Sequence, residues 1–259
     1  MDTALFSRFS PVIRSLSSAE LRGAPSLFEK MQLAQSTNLN VCYAPFEFIN
    51  PAAKVVLVGI TPGKQQMLNA IAEARRQLDC GRSDMEIVEA AKRVGAFSGD
   101  IRGHLVNLLD HVGVNRWLSI SSCSELFGRA ASMVQTTSVL RNPVFYQGKD
   151  YNGTPKMTRD GLLKEQLMTY FVQDVRALPR AIFVPLGEKV AEALNYLADE
   201  GYLDRSRILF GLPHPSPQNI ERIQYFLGQK PKSALSIKTN PDKLDLAREQ
   251  IVQQIQALA

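Results

Sequence analysis

Lys54-Val55-Val56-Leu57-Val58-Gly59-Ile60-Thr61-Pro62-Gly63 is the stretch that decides the fold. From Val55 to Ile60 no side chain is polar and most are β-branched, the composition of a strand buried on both faces, as in a parallel sheet. Thr61-Pro62-Gly63 ends it, and apolar residues then recur at helical spacing, which predicts a helix over 64–78.

Working outward, a polar break at 79–83 precedes a second helix to about 94. The turn Gly95-Ala96-Phe97-Ser98-Gly99-Asp100 follows, then an amphipathic helix to about His111 with Leu105, Leu108, Leu109 and Val112 on one side. Residues 132–140 read as a second buried strand, and a loop rich in Gly, Pro, Asn and Tyr runs from there to about Thr158. Helical period over 162–178 leads to a third strand at 181–186, a helix from Gly187 to about Ala198, and a fourth strand at 208–211. Asn240-Pro241 opens a C-terminal helix with Leu244, Ala247, Ile251, Ile255 and Leu258 in one stripe. Toward the N-terminus, Ser17-Ser18-Ala19-Glu20 offers a helix cap and Pro25-Ser26 opens a helix toward Gln35. Strands alternating with helices predict an α/β fold: a three-layer α/β/α sandwich on a central, mainly parallel four-stranded sheet. The expectation is a single domain over 1–259, with a helical N-terminal extension over about 1–50 and a C-terminal helix over about 241–259.

Composition excludes several classes. With 45% hydrophobic and 21% charged residues the chain resembles an ordinary globular protein, and no apolar run reaches the roughly 18 residues of a membrane span. The N-terminus, with Asp2 early, lacks the pattern of a signal peptide, so the expected location is cytoplasmic. Cys42, Cys80 and Cys123 are widely spaced and form no C-x-x-C pair, so neither disulfides nor a metal or iron–sulfur site is expected. The net charge is +5, and between Arg205 and Lys243 seven Lys or Arg face only Glu221 and Asp242. That segment suits a phosphate-bearing partner, or is a solvated basic tail.

Within it lies Gly211-Leu212-Pro213-His214-Pro215-Ser216-Pro217-Gln218-Asn219, which fixes one of three histidines between two prolines. Prolines lock φ and bias the preceding residue to extended backbone, so this segment is stiff and its imidazole is aimed by backbone. An ordinary proline-rich turn with a surface histidine reads the same way. In open α/β sheets ligands sit beyond the carboxyl ends of strands, where Gly59–Gly63, Phe97–Asp100, Thr136–Ser138 and His214–Asn219 all fall.

In their order and spacing these segments resemble the uracil-DNA glycosylase superfamily, and within it the type B branch, sometimes called family 5. Gly59-Ile60-Thr61-Pro62-Gly63 is similar to its Gly-x-x-Pro-Gly turn. Gly95 to Gly103, leading into Leu105 and Leu108-Leu109, is similar to its Phe-x-Gly-Asp-x-x-Gly turn and Leu-rich helix. The stretch from Leu167 through Pro179–Gly187 to Leu194 resembles its helix, strand and Leu-Gly turn, and His214-Pro215-Ser216 with Gln218-Asn219 its histidine loop. The match spans about residues 54 to 220.

The resemblance implies hydrolysis of the N-glycosidic bond of uracil or another deaminated or modified base in DNA; many type B relatives carry an iron–sulfur cluster on four cysteines, which this chain lacks, so no cofactor or metal is expected, and a monomer is expected. The leaving base departs as an anion, and the resemblance makes His214 the neutral donor to its carbonyl. Asp100 becomes the carboxylate that orients water or steadies the sugar cation, because Thr61, where other branches carry Asp or Asn, cannot be an anionic base. Phe97 would stack on the flipped base, while Gly59, Thr61, Pro62, Gly63 and Ser216 would line the substrate. Gln218 and Asn219 would press into the minor groove. Thr137 stands where the family usually has a base-reading asparagine, and a rotating hydroxyl is a different reader from a fixed amide. Each residue also has a plain reading: Phe97 as a core aromatic, Asp100 as a helix cap, Thr137 as a buried strand residue, Gln218 and Asn219 as solvated loop. His104 and His111, seven apart on one helix, read as surface or satisfied histidines. The alternative to an enzyme is an inactive or repurposed member of the fold that binds nucleic acid or a protein partner, which Thr61, Thr137 and the insertion around 117–131 favour.

Overall fold

A computed structural model describes residues 3–96 and 100–258, and of Asp100 the backbone. The elements run α1 (Ala4–Ser15), α2 (Ser18–Leu21), α3 (Pro25–Lys30), β1 (Gln32–Gln35), β2 (Leu39–Cys42), β3 (Val55–Gly59), α4 (Lys64–Asp79), α5 (Asp84–Gly95) and α6 (Asp100–Val112). After α7 (Val114–Trp117) come β4 (Val134–Ser138), β5 (Val144–Tyr146), β6 (Lys149–Asp150), α8 (Gly161–Gln166) and α9 (Val172–Ala177). Last are β7 (Ile182–Pro185), α10 (Glu188–Asp199), α11 (Ile220–Phe226) and α12 (Pro241–Gln256). The protein is mixed α/β, with a parallel three-stranded sheet in the order β4-β3-β7 and a separate sheet in the order β1-β2-β5-β6.

Two compact units make up the described chain: residues 3–49, 60–96 and 137–177 form the first, residues 50–59, 100–136 and 178–258 the second. In the first, β1, β2, β5 and β6 pair antiparallel throughout. Its core is made by helix faces that repeat every three or four residues: Phe6, Phe9 and Ile13 of α1, Met67, Ile71 and Ala74 of α4, and Ile87, Val88 and Ala91 of α5, all buried. Phe9 stacks on Tyr43 of the same unit with ring centroids 4.5 Å apart. The Ser17 cap is formed, with Glu20 answering it in a capping box.

In the second unit every residue of β3 and β7 is buried, as the unbroken apolar run requires, and the two strands pair in parallel from Val55 opposite Ile182 to Val58 opposite Pro185. Leu105, Leu108, Leu109 and Val112 of α6 are buried as expected. Asn240 caps α12 by accepting from the Lys243 N–H, and Ile251 and Ile255 of its stripe are buried.

Two expectations are corrected. The fourth parallel strand is one bridge, Ile208 to Phe183, with the Leu209 N–H donating to the Phe183 carbonyl at 2.9 Å. The ladder stops there because Gly211 turns with φ +121° and Pro213, Pro215 and Pro217 have no N–H to extend it. The antiparallel sheet was not expected at all. The helix opened at Pro25 ends at Lys30, and Gln32–Gln35 is strand. The expected loop after residue 140 holds a β5–β6 hairpin whose turn residues, Gln147 and Gly148, both have positive φ (48° and 75°), the two-residue type I′ geometry that matches strand twist.

Candidate functional site

In the second unit the loop after Gly211 carries the aimed histidine. His214 is half-buried, and burial pushes its imidazole pKa below the ordinary 6.5. Its Nδ1 accepts the Ser216 backbone N–H at 3.2 Å. A ring nitrogen that accepts carries no proton, so in the neutral imidazole the proton sits on Nε2 and is available to donate.

Three residues hold this loop that sequence reading left without a functional role. His104 of α6 donates from Nδ1 to the Pro215 carbonyl, 3.0 Å away, so it is a satisfied histidine that anchors the turn. Gly187 has φ +93°, and a Cβ there would lie 3.0 Å from His214 Cβ, so only glycine both adopts the backbone and leaves room for the ring. Its signal in the sequence was the Leu-Gly turn after the third strand. Arg222 of α11 donates to Asn219 Oδ1 at 3.2 Å, while Asn219 Nδ2 donates to Ser216 Oγ at 3.0 Å. His214, Ser216 and Asn219 are thus brought together in one network, and Gln218 is exposed beside it. Gly59 ends β3 in the same unit. Asp100 opens α6, with its side chain outside the described residues, and Phe97 also lies outside them.

The first unit holds the other expected residues. Thr61 is half-buried; its hydroxyl donates to the Asn142 carbonyl and accepts the Val144 N–H, both at 3.0 Å, which staples the turn after β3 to the chain entering β5. Pro62 is buried. Gly63 packs under Asp150: a Cβ on it would stand 2.9 Å from Asp150 Oδ2, while Oδ1 accepts the Lys64 N–H at 2.9 Å and caps α4. Sequence reading missed Asp150 as a cap because it is 86 residues away from the helix it closes.

Thr137 is buried, and its hydroxyl donates to Asp174 Oδ2 at 2.8 Å. Asp174, fully buried on the helix reached through a π-turn over Leu167–Phe171, accepts the Arg141 guanidinium on its other oxygen. Arg141 also donates to the Tyr170 carbonyl at 2.8 Å. Nearby in the same unit, buried Lys92 donates to the Phe48 carbonyl at 2.5 Å, and burial lowers its pKa to about 8. Tyr43 donates to Glu47 at 2.7 Å, and burial raises the Glu47 carboxyl pKa. Nothing in the sequence around Asp174 marks it as the centre of a buried network. Among the described residues no group of three or more His, Cys, Asp or Glu could hold a metal.

The molecule so described is an α/β protein with a backbone-aimed neutral imidazole on its parallel-sheet unit and a closed ionic core in the other. No protein-family model and no solved structure matches the chain. A Bacillus subtilis (strain 168) protein named uncharacterized protein YoxB is 32% identical over 226 residues, covering 86% of this chain and 88% of that protein. The chain belongs to the family of that protein.

Proposed function

We propose that the protein is a monofunctional DNA glycosylase that hydrolyses the N-glycosidic bond of a deaminated or modified base, acting as a cytoplasmic monomer on a sandwich fold of the uracil-DNA glycosylase type. The observation that carries this reading is the state of His214. Burial favours its neutral form, and the Ser216 N–H on Nδ1 leaves a proton on Nε2. A neutral, preorganised donor is what a departing base needs as its carbonyl gains negative charge, and it needs no reorganisation as the bond breaks. Asp100, at the start of α6 in the same unit, is the carboxylate for the sugar cation or the water.

Oligonucleotides carrying uracil, hypoxanthine, xanthine, a thymine mismatch or a hydroxymethylcytosine derivative, each treated with alkali after incubation, test the reaction. Strand breakage is expected on at least one of them. His214→Ala should lower its rate by about 10²–10³, the cost of removing one donor to an oxyanion. Asp100→Ala should abolish it within detection. No breakage on any lesion sinks the reading, and an unchanged Asp100→Ala enzyme sinks the carboxylate assignment.

A second reading is a non-catalytic nucleic-acid or protein binder. It is favoured by the hydroxyls of Thr61 and Thr137, which are both committed to partners inside their own unit. The same assay, run beside a DNA-binding titration, separates the two: binding without breakage belongs to the binder.

A further inference from the structure

Pro215 and Ser216 share one peptide group, and both of its ends are engaged by imidazoles. His104 Nδ1, on α6, donates to the Pro215 carbonyl at 3.0 Å, and the Ser216 N–H of the same peptide donates to His214 Nδ1 at 3.2 Å. A carbonyl oxygen only accepts, so His104 carries a proton on Nδ1; in the neutral ring that is the opposite tautomer from His214. One planar group therefore stands between two imidazoles and joins their states.

The sequence leaves His214 few other donors. Pro213, Pro215 and Pro217 have no N–H, so within 213–217 only His214 and Ser216 can donate from the backbone. The Ser216 N–H is the one that reaches the ring. The tautomer of His214 then depends on which way the Pro215–Ser216 peptide faces. Turned over, the peptide would present its carbonyl to His214 Nδ1, which would take the proton and leave Nε2 with a lone pair. A lone pair aimed at a base carbonyl repels it, and the donor is lost.

His104 holds the peptide in the productive orientation. It is carried by α6, a helix seated by buried Leu105, Leu108, Leu109 and Val112, so its donor is fixed by an element 111 residues from the loop in sequence. Donation into the carbonyl also polarises the peptide and strengthens its N–H as a donor, because hydrogen bonds in series reinforce one another. The Asn219 bond to Ser216 Oγ acts on the side chain and not on this peptide. Since α6 begins at Asp100, the helix that starts with the proposed carboxylate carries, one turn further on, the group that fixes the proposed donor.

We infer that His104 is a positioning residue that sets the tautomer of His214 through the Pro215–Ser216 peptide. The bridge belongs to the free protein, while its effect on base excision rests on the glycosylase reading and deepens it. Because His104 acts through another residue, its loss should change turnover rather than substrate affinity.

Long-range proton–nitrogen NMR of the full chain under mildly alkaline conditions tests the bridge, with signals assigned by their loss in His214→Gln and His104→Asn. The parent should show His214 protonated on Nε2 with a bare Nδ1, and His104 the reverse. His104→Leu, which removes the donor and keeps the space filled, should move the His214 nitrogens toward a mixture of tautomers. The same variant should lower kcat about tenfold at unchanged KM, less than the roughly 10²–10³-fold cost of losing the donor outright. His104→Asn places an amide N–H where Nδ1 stood and should restore both readouts. His104 protonated on Nε2 in the parent, or a His214 tautomer unchanged in His104→Leu, overturns the inference. A shifted tautomer in His104→Leu with the parent's kcat overturns the positioning role. A parent that shows the opposed tautomers, loses them in His104→Leu and yet breaks no lesion-bearing oligonucleotide supports the bridge and overturns the glycosylase reading.

Discussion

The Arg141–Asp174 core of the first unit and the His214 loop of the second are both built from polar side chains on hydrogen bonds, and they differ in what is left over. In the core, Thr137 donates to one Asp174 oxygen, Arg141 to the other, and Arg141 again to Tyr170, which leaves Arg141 Nε as the one atom of these three side chains without a partner. In the loop, the bonds to Pro215, Ser216 and Asn219 fix the backbone while the imidazole keeps a proton on Nε2. Capacity consumed internally marks a stabilising network, and capacity held in position but unused marks a place for chemistry.

If the core is closed in this sense, breaking it from one side must be severe. Asp174→Ala leaves a buried guanidinium without its counterion, and a loss of about 3–5 kcal/mol is expected in urea unfolding. Replacing both partners, as Arg141→Met with Asp174→Leu, removes the two desolvation costs together and should fall near the parent's stability. A single variant that unfolds at the parent's midpoint would show that the pair is not a closed unit. Thr137→Val comes next, at about 1.5–3 kcal/mol for a hydrogen bond to a charged group. Because that hydroxyl faces Asp174, Thr137→Val should leave the preference among cleaved lesions unchanged. A changed preference restores Thr137 as a base reader.

On the loop side the stability effects are smaller and the functional ones larger. Gly187→Ala forces φ +93° on a residue with a Cβ and sets that Cβ 3.0 Å from His214 Cβ. About 1–2 kcal/mol of stability should go, and base excision should fall by more than that loss explains, because the imidazole itself has to move. Equal activity at reduced stability would separate the glycine from the aim of His214.

How much of this was legible follows from how local each signal is. Val55–Gly59, Ile182–Pro185 and the α4, α5, α6, α10 and α12 helices declare themselves through continuous apolar runs, helical period and caps within a few residues. The Gln32–Cys42 pair and the Gln147-Gly148 hairpin do not, since their strands are only two to four residues long and Gln-Gly is a weaker turn signal than Asn-Gly. The Ile208 strand failed for the opposite reason: the apolar run is real, and prolines beyond it deny the ladder its donors. At the candidate site His214 was legible because prolines flank it. Gly187, His104 and Arg222 were not, because their roles rest on contacts across 27, 111 and, from Arg222 to the Lys238 carbonyl, 16 residues, with segments whose fold must be known first. Asp174 was invisible because a buried carboxylate on a helix looks like any other acid in sequence.

The smallest expected effect is the pH dependence of His214, and it bears most directly on what the loop keeps free. Burial sets its folded pKa below 6.5, so above pH 6.5 both folded and unfolded chains are neutral there and its contribution to stability is complete. As pH falls below 6.5 the unfolded chain takes up the proton first, and stability is lost as pH falls through the folded value. His111 shifts the same way, from burial and then from the Arg248 charge, so the parent's acid slope contains both. His214→Gln and His111→Gln should each flatten that slope in unfolding free energy measured from pH 7 to 5. Only His214 links the slope to chemistry: once Nδ1 is protonated it can no longer accept the Ser216 N–H, and the loop loses the bond that aims the ring. Base excision should therefore fall along the same acid limb in the parent and in His111→Gln. An excision rate that stays level while the His214 part of the stability slope is present would mean that the aimed imidazole is structural, and the contrast with the Asp174 core would disappear.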